Sequence, residues 1–192
     1  WQRSLSGITG SYSTFGGTAQ TQAVTSSGNY QLTITNLAGC SASDTAVVHI
    51  ADYVFNGSIA AGDPSQTGRI NRLAQTSVCP GPKTFPGMFT TAGARLYDSY
   101  TITNIRSVSV CATIGIASGC GTNIFNVAYT GSFNPADPSQ NYLGDPGSSF
   151  PSSGFMEVTI PANGTIVVVV HEVNSGSGCA SYKLTVDVPR DP

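Results

Sequence analysis

Charged side chains are scarce in this sequence of 192 residues. Asp, Glu, Lys and Arg make up 9% of it, whereas soluble globular domains usually carry about 25%. Serine, threonine, glycine and asparagine are abundant instead, and these residues suit strands and turns better than helices. The composition therefore predicts a secreted β-sheet protein whose surface depends on hydroxyl and amide groups for its solubility.

Runs of basic or apolar residues are also lacking. The eight Lys and Arg residues are scattered singly between Arg3 and Arg190, and the net charge is -2. This distribution excludes a basic stripe for nucleic acid or an anionic membrane surface. The longest apolar run, residues 166–170, is far shorter than the ~20 residues of a membrane helix, so no membrane span is expected. No signal peptide opens the chain, which indicates a mature or excised piece.

Motifs for catalysis are absent. The sequence has no CxxC knuckle, no HExxH helix and no G-x-S-x-G elbow, and His49 and His171 both fall in predicted strands. Glu157 and Glu172 are expected on adjacent strands of a hairpin closed by residues 161–164, about 13 Å apart. Glycosidase carboxylates lie roughly 5–9.5 Å apart. The sequence therefore predicts a protein that is not an enzyme.

Alternating side chains predict strands along most of the chain. Residues 28–50 form a hairpin in which Tyr30, Leu32 and Ile34 share one face, with a turn at residues 36–39. Residues 57–95 are rich in Gly, Pro, Ser and Thr and are interpreted as loops with short strands near 53 and 69–73. Further strands are predicted at 97–103, 108–116, 124–129, 155–160, 165–173 and 182–188. The fold class is all-β, an antiparallel and jelly-roll-like β-sandwich.

The start of the chain carries a family likeness. Trp1, the strand opening Gly28-Asn29-Tyr30 and the turn Asn36-Leu37-Ala38-Gly39-Cys40 resemble the back half of an immunoglobulin-like or PKD-like domain of bacterial surface proteins. The resemblance implies that residues 1–51 are a partial immunoglobulin-like module without its front strands. In that family the cysteine after this turn commonly pairs with a cysteine on an early strand. The resemblance therefore implies that Cys40 is unpaired or joined to another molecule.

The rest of the chain resembles a second kind of bacterial module. Residues 53–188 are similar to C-terminal sandwich modules related to pre-peptidase C-terminal domains, which places a second domain at 52–192. The resemblance implies a non-catalytic appendage that assists attachment, carbohydrate binding, secretion or processing. The segments that carry it are Gly62-Asp63-Pro64, Tyr97-Asp98-Ser99-Tyr100, residues 128–135, residues 141–145, residues 168–174, Gly178-Cys179 and Tyr182.

The other four cysteines predict two disulfides made in an oxidising compartment. Cys111 falls on the outer side of its strand, where the Pro-rich stretch around Cys79 is the candidate cover. Cys120 and Cys179 lie in Gly-rich turns at one end of the sandwich. Although four cysteines allow three connectivities, the pattern favours Cys79–Cys111 and Cys120–Cys179. Buried free thiols are the alternative.

One loop has the composition of a calcium site. Asp137, Asn141 and Asp145 lie within nine positions, and hard oxygen ligands of this kind hold Ca²⁺ in proteins. The alternative is that they cap turns and bind no ion. No other cofactor is expected.

Three functions remain open for such a chain, which is expected to be extracellular, either secreted or on the cell surface. The first is adhesion or attachment without an active site. The second is a filament subunit, and hence a homo-oligomer, assembled by strand donation at an open sheet edge. The third is a carbohydrate-binding module, with Trp1, Tyr97 and Tyr142 as candidate aromatic platforms. The partners would be other extracellular subunits or surface glycans.

Overall fold

Strands dominate the structure. A computed structural model of the chain describes residues 1–4, 12–14, 16–24, 28–48 and 51–188. These residues contain thirteen strands, one short 3-10 turn at Gly121–Asn123 and no α-helix, so the prediction of an all-β chain is confirmed. The described chain divides into two compact units, Trp1–Ala51 and Asp52–Val188.

The first unit is a single antiparallel sheet. Its strands are β1 (Gln2–Ser4), β2 (Ser13–Thr14), β3 (Gly28–Thr35) and β4 (Ser41–Val48), in the order β2-β1-β3-β4. The hairpin turn between β3 and β4 is held by Asn36, whose Oδ1 accepts the N–H groups of Ala38 and Cys40. The alternation of Ala46, Val48 and Ile50 in the sequence predicts a second strand at 46–50, but β4 already begins at Ser41. His49 and Ile50 lie outside the described residues.

Burial in this sheet decreases along the face that Tyr30, Leu32 and Ile34 share. Tyr30 is 2% exposed, whereas Ile34, four residues along β3, is 64% exposed. The described side chains of β4 between Ser41 and Ala46 are all exposed. Within this unit the apolar residues of the hairpin are therefore covered only at the Tyr30 end.

The second unit is a sandwich of two antiparallel sheets. Its strands are β5 (Tyr53–Ile59), β6 (Ser65–Ile70), β7 (Met88–Thr103), β8 (Val110–Ser118), β9 (Ile124–Thr130), β10 (Tyr142–Gly144), β11 (Ser153–Ile160), β12 (Thr165–Glu172) and β13 (Cys179–Asp187). One sheet has the order β10-β9-β12-β7-β6 and the other the order β11-β8-β13-β5. Setting β6 aside, these orders are those of a jelly roll, in which two four-stranded sheets exchange strands through cross-sheet connections.

The main core lies between these two sheets. Alternate residues of β8, such as Ala112 and Ile114, pack with Val168 and Val170 of β12 and with Leu184 of β13. In the predicted strands 108–116 and 182–188, the even-numbered residues alternate as apolar positions that are expected to face inward. This expectation is correct from residue 110 onward, whereas Val108 lies before β8 and is exposed. Burial of these branched side chains on both inner faces is the main force that holds the sheets together.

Two features differ from the sequence predictions. Residues 161–164 form the expected tight turn, with Asn163 at φ +52° and the N–H of Gly164 donating to the Pro161 carbonyl. The turn does not close a hairpin, because β11 pairs with β8 whereas β12 pairs with β7 and β9. The region 57–95 is interpreted from its sequence as loops with a short strand near 69–73. It contains the longer strand β6 and the first half of the 16-residue strand β7.

Candidate functional site

Two disulfides attach loops to the sandwich. Cys79 is bonded to Cys111 with a Cα–Cα distance of 6.0 Å, and Cys120 to Cys179 with a distance of 5.5 Å. These are the two pairings that the sequence analysis favoured. Next to the first bridge, the Thr159 hydroxyl donates to the Pro80 carbonyl at 2.8 Å, so the Pro-rich loop is fixed against β11. Cys40 is exposed and unpaired.

Asp145 is the centre of a buried polar network. Its carboxylate is 0% exposed and accepts a hydrogen bond from Lys83 Nζ at 2.7 Å, in an ion pair whose lysine is 7% exposed. The Tyr142 hydroxyl and the Gly147 N–H also donate to it. Both carboxylate oxygens are thus occupied by protein groups, and this predicted calcium ligand serves to join the loop around Lys83 to β10.

The other two predicted calcium ligands have separate roles. Asp137 is exposed, and its Oδ1 accepts the N–H and the hydroxyl of Ser139; these hydrogen bonds lower the pKa of the Asp137 carboxyl. Asn141, at φ +58°, donates its amide to the carbonyl and hydroxyl of Ser132. Asp137 and Asn141 therefore each hold a local turn, whereas Asp145 joins segments that are distant in sequence.

The predicted aromatic platforms lie in a second core. Tyr97 packs edge-on against Phe133 at 5.1 Å between ring centroids, and Tyr142 against Phe85 at 5.2 Å. Both belong to an apolar cluster on the outer face of the five-stranded sheet, where loops cover β9 and β12. Trp1, in the first unit, donates its indole N–H to the Ala19 carbonyl. Both tyrosine rings are half-buried.

His171 lies beneath the same loops. The side chain is fully buried, its Nδ1 is 2.8 Å from the Glu172 carbonyl oxygen, and its ring packs on Phe125. Burial lowers the pKa of His171 to about 4, and the positive charges of Arg69, Arg95 and Arg72 act in the same direction. At neutral pH the imidazole is therefore uncharged.

Glu172 and Glu157, the carboxylate pair considered from the sequence, belong to different sheets. Glu172 accepts the backbone N–H groups of Leu96, Gly176 and Gly178. Burial alone would raise the pKa of this carboxyl, but the three N–H donors and Arg95 together lower it. Glu157 faces outward from β11 opposite Thr113. The hairpin assumed for this pair was wrong, and the two residues have no common site.

Metal binding finds little support in the described part of the chain. One group of three His, Cys, Asp or Glu side chains lies close enough for metal ligation there, and it consists of Cys79, Cys111 and Glu157. Because the two sulfurs are bonded to each other, they offer no thiolate to a metal.

A chain of hydroxyls and one carboxylate connects the two sheets. Tyr182 of β13 donates its hydroxyl to Asp98 of β7, and the Tyr100 hydroxyl lies 2.7 Å from that of Tyr182. Burial and the Asp98 carboxylate raise the pKa of Tyr182 well above its ordinary value. A Cβ at Gly57 would lie 2.4 Å from the Tyr182 ring. This network holds the sheets together and is not built to release a proton.

The outer face of the four-stranded sheet, in contrast, is open beyond the end that the Pro-rich loop covers through the Cys79–Cys111 bridge and the Thr159–Pro80 hydrogen bond. Side chains point outward in three rows that cross the strands, and no residue of these rows is buried. We call this surface the open face. Its first row is Ser153, Ala117, Lys183 and Asn56; its second is Phe155, Gly115, Thr185 and Val54; its third is Glu157, Thr113 and Asp187.

The open face combines one aromatic ring with polar surroundings. Phe155 is 61% exposed on the edge strand β11, and its cross-strand neighbour Gly115 has no side chain. The charges on this face are those of Lys183, Glu157 and Asp187, so it has no strong charge of either sign. The remaining side chains include hydroxyls and an amide, which both donate and accept hydrogen bonds.

A cleft continues the open face at the end of the first row. It has a volume of about 420 Å³ and shares Asn56, Ala117 and Lys183 with that row. Its other lining residues are small or polar, apart from the edge of Tyr182: Gly57, Ser118, Gly119, Ser152 and Ser181. The cleft is shallow and widely open to solvent. The open face and this cleft together are the candidate site.

Comparison with known proteins adds no assignment to this geometry. No protein-family model matches the chain, and no curated protein matches it significantly.

The sequence of β11 indicates that Phe155 faces solvent. Met156, Val158 and Ile160 alternate toward the core, which places Phe155 on the solvent-exposed face of the same strand. The exposure of Phe155 could therefore have been predicted from the alternation in β11.

Proposed function

We propose that the chain is a non-catalytic module of an extracellular protein and that it attaches to its partner through the open face. The observation that carries this proposal is the difference between the two outer faces of the sandwich. Loops bury the centre of one under a second apolar core, whereas the other has no buried residue. A face left open beside a covered one is the natural contact surface of this scaffold.

The environments of the ionisable groups support a role without catalysis. Asp145 is paired with Lys83, Glu172 is held by backbone N–H groups, and His171 is buried. General acids and bases need access to a substrate and a pKa near the working pH. The buried groups of this unit are committed to holding loops and sheets together.

An extracellular location is supported by the chemistry of the chain. Two disulfides are formed in a chain with few charged residues, and disulfides persist in oxidising compartments. No helix among the described residues is long and apolar enough to cross a membrane. The resemblance of residues 53–188 to appended modules of secreted or surface-anchored bacterial proteins points in the same direction.

An attachment assay tests the role of the open face. The intact chain would be applied to immobilised bacterial cell walls and to extracellular-matrix preparations, and retention would be compared with that of two variants of the open face, Phe155→Ala and Ala117→Glu. Phe89→Ala is the matched control, because Phe89 is similarly exposed at 64% but lies on β7 in the other sheet. We expect both open-face variants to lose retention and the control to keep it. Retention of both open-face variants at the wild-type level would overturn the proposal.

Assembly by strand donation is a second candidate function. The observation that favours it is the position of β4, an eight-residue strand at the edge of its sheet whose described side chains from Ser41 to Ala46 are exposed. Uncovered edges of this kind pair with other strands. Light scattering at rising concentration would detect oligomers, and Ser43→Pro should return them to monomers, because the N–H of Ser43 points away from β3 and its loss prevents a new ladder at this edge. A chain that stays monomeric throughout argues against this candidate.

A further inference from the structure

We infer that the partner of the open face is a neutral polysaccharide, which binds along the rows of this face with Phe155 as its apolar contact. This inference rests on the proposed attachment function and names the chemical class of ligand. It is argued from the shape, the aromatic contact and the polar groups of the face.

The shape of the open face suits an extended chain. Four strands at a spacing of about 4.8 Å and rows separated by about 6.6 Å along each strand give a surface of roughly 14 Å by 13 Å. Small residues at Gly115 and Ala117 keep its middle low. A Cβ at Gly115 would lie 2.6 Å from Thr185 Oγ1, so the backbone and this hydroxyl form the floor.

Phe155 provides the apolar contact that a sugar ring needs. A pyranose ring has C–H groups on its faces and hydroxyls around its rim, so its faces pack on aromatic rings while its rim stays polar. Phe155 is the one aromatic residue of the open face and stands beside the gap at Gly115. Its ring can therefore be covered without moving another side chain of the row.

Polar groups lie on both sides of this contact. Asn56, Lys183 and Ser153 occupy one neighbouring row, and Thr113 and Glu157 the other. The cleft adds the hydroxyls of Ser118, Ser152 and Ser181. Donors and acceptors are thus mixed, which matches sugar hydroxyls, since each of these both donates and accepts.

The same residues disfavour two other partners. One lysine against the two carboxylates of Glu157 and Asp187 gives no attraction for a polyanion. A protein partner would usually bury about 800 Å² on each side around an apolar centre. The large apolar residues of the open face are Phe155 and Val54, which lie on its two opposite edge strands.

Affinity electrophoresis of the intact chain through gels containing one polysaccharide at a time tests this inference. The neutral arms are β-glucan, mannan and xylan, and the anionic arms are heparin and polygalacturonate. We expect retardation in at least one neutral gel, a loss of affinity of about tenfold or more for Phe155→Ala, and retained affinity for Phe155→Trp. Phe89→Ala, with a ring of similar exposure, should migrate like the wild type. Addition of the neutral polysaccharide that retards the chain should also shift the fluorescence of the Phe155→Trp variant.

The inference is overturned if no neutral polysaccharide retards the chain, if only the anionic gels do, or if Phe155→Ala binds unchanged. Periodate oxidation of the surfaces in the attachment assay separates this inference from the proposal on which it rests. Retention that depends on Phe155 but survives periodate would leave the attachment function in place and identify a protein partner. Retention that does not depend on Phe155 or Ala117 would remove the attachment role of the face itself.

Discussion

Asp145 shows how a single buried carboxylate organises the loops of the second unit. Lys83, Tyr142 and the Gly147 N–H all donate to it, and its backbone carbonyl accepts both the N–H and the hydroxyl of Ser77. Two buried opposite charges offset each other's desolvation only while both are present. The residue therefore acts as a structural anchor, although its spacing from Asp137 suggested an ion ligand.

Asp145→Asn is expected to lower the free energy of unfolding by about 3–5 kcal/mol, because it leaves the Lys83 ammonium buried without its counter-charge. Urea denaturation at neutral pH measures this change. The double variant Lys83→Met/Asp145→Asn should recover part of the loss, since no buried charge remains. Asp137→Asn, at a local turn, should leave the urea midpoint almost unchanged. A similarly small effect of Asp145→Asn would show that the ion pair is not an anchor.

His171 makes the stability of the fold depend on pH. Its pKa in the folded chain is about 4, below the ordinary value of 6.5. Between these values the unfolded chain binds a proton that the folded chain does not, so the free energy of unfolding falls as the pH decreases from 6.5 toward 4. Above pH 6.5 both states are neutral at this residue, and the full stability is present.

We expect this term to cost about 2 kcal/mol between pH 6.5 and pH 5. Denaturant unfolding at several pH values would measure the slope. His171→Asn removes the titrating ring but keeps a donor for the Glu172 carbonyl, so its curve should be flatter even if it is less stable throughout. Equal slopes for His171→Asn and the wild type would contradict the assignment.

At the scale of elements, side-chain alternation predicted the strands that lie at the centre of the sheets. In β8 and β13 apolar inward residues alternate with less buried ones, so the pattern and the burial agree. β12 was predicted from a continuous apolar run instead, and both of its faces are buried. β6 and β7 were predicted only in part, at 69–73 and 97–103, whereas they span Ser65–Ile70 and Met88–Thr103. The register shifts around Gly68 interrupt the alternation in the missing parts, which also contain few large apolar residues. Gly68 itself has φ +67°, which favours glycine at this bulge.

Pairing across a turn was harder to predict than the turn. Asn163-Gly164 fixes the local conformation, but the partner of β12 depends on contacts with β7 and β9, which are distant in sequence. The candidate site had the same limitation. Tyr97 and Tyr142 are candidates in the sequence because they are aromatic, and only the folded structure shows that they pack against Phe133 and Phe85.

The two disulfides should contribute similar stability despite their different spans. They join residues separated by 32 and 59 positions. Because loop-closure entropy grows with the logarithm of the length, replacing either pair by alanine should cost about 3–4 kcal/mol. Urea denaturation of Cys79→Ala/Cys111→Ala and of Cys120→Ala/Cys179→Ala measures both. Cys40→Ser, at the exposed unpaired cysteine, should leave the midpoint unchanged, and a loss as large as that of either pair would contradict this view.

At the scale of the whole molecule, the two units differ in how much apolar surface they enclose. The second unit has a core between its sheets, a further core beneath its loops and both disulfides. In the first unit Tyr30 is the one described apolar side chain that is buried. A single sheet with little burial has little to offset its conformational entropy.

Residues 52–188 produced alone should therefore fold, form both disulfides and melt at the same temperature as the main transition of the full chain. Residues 1–51 produced alone should show no cooperative transition, since a single sheet needs a packed face to be stable. Circular dichroism melts of the three chains measure this, with non-reducing peptide mapping to verify the bridges. If residues 52–188 failed to fold while the full chain did, the first unit would be supplying stability that its own sparse burial does not explain. Residues 52–188 would then not be an independently folding domain.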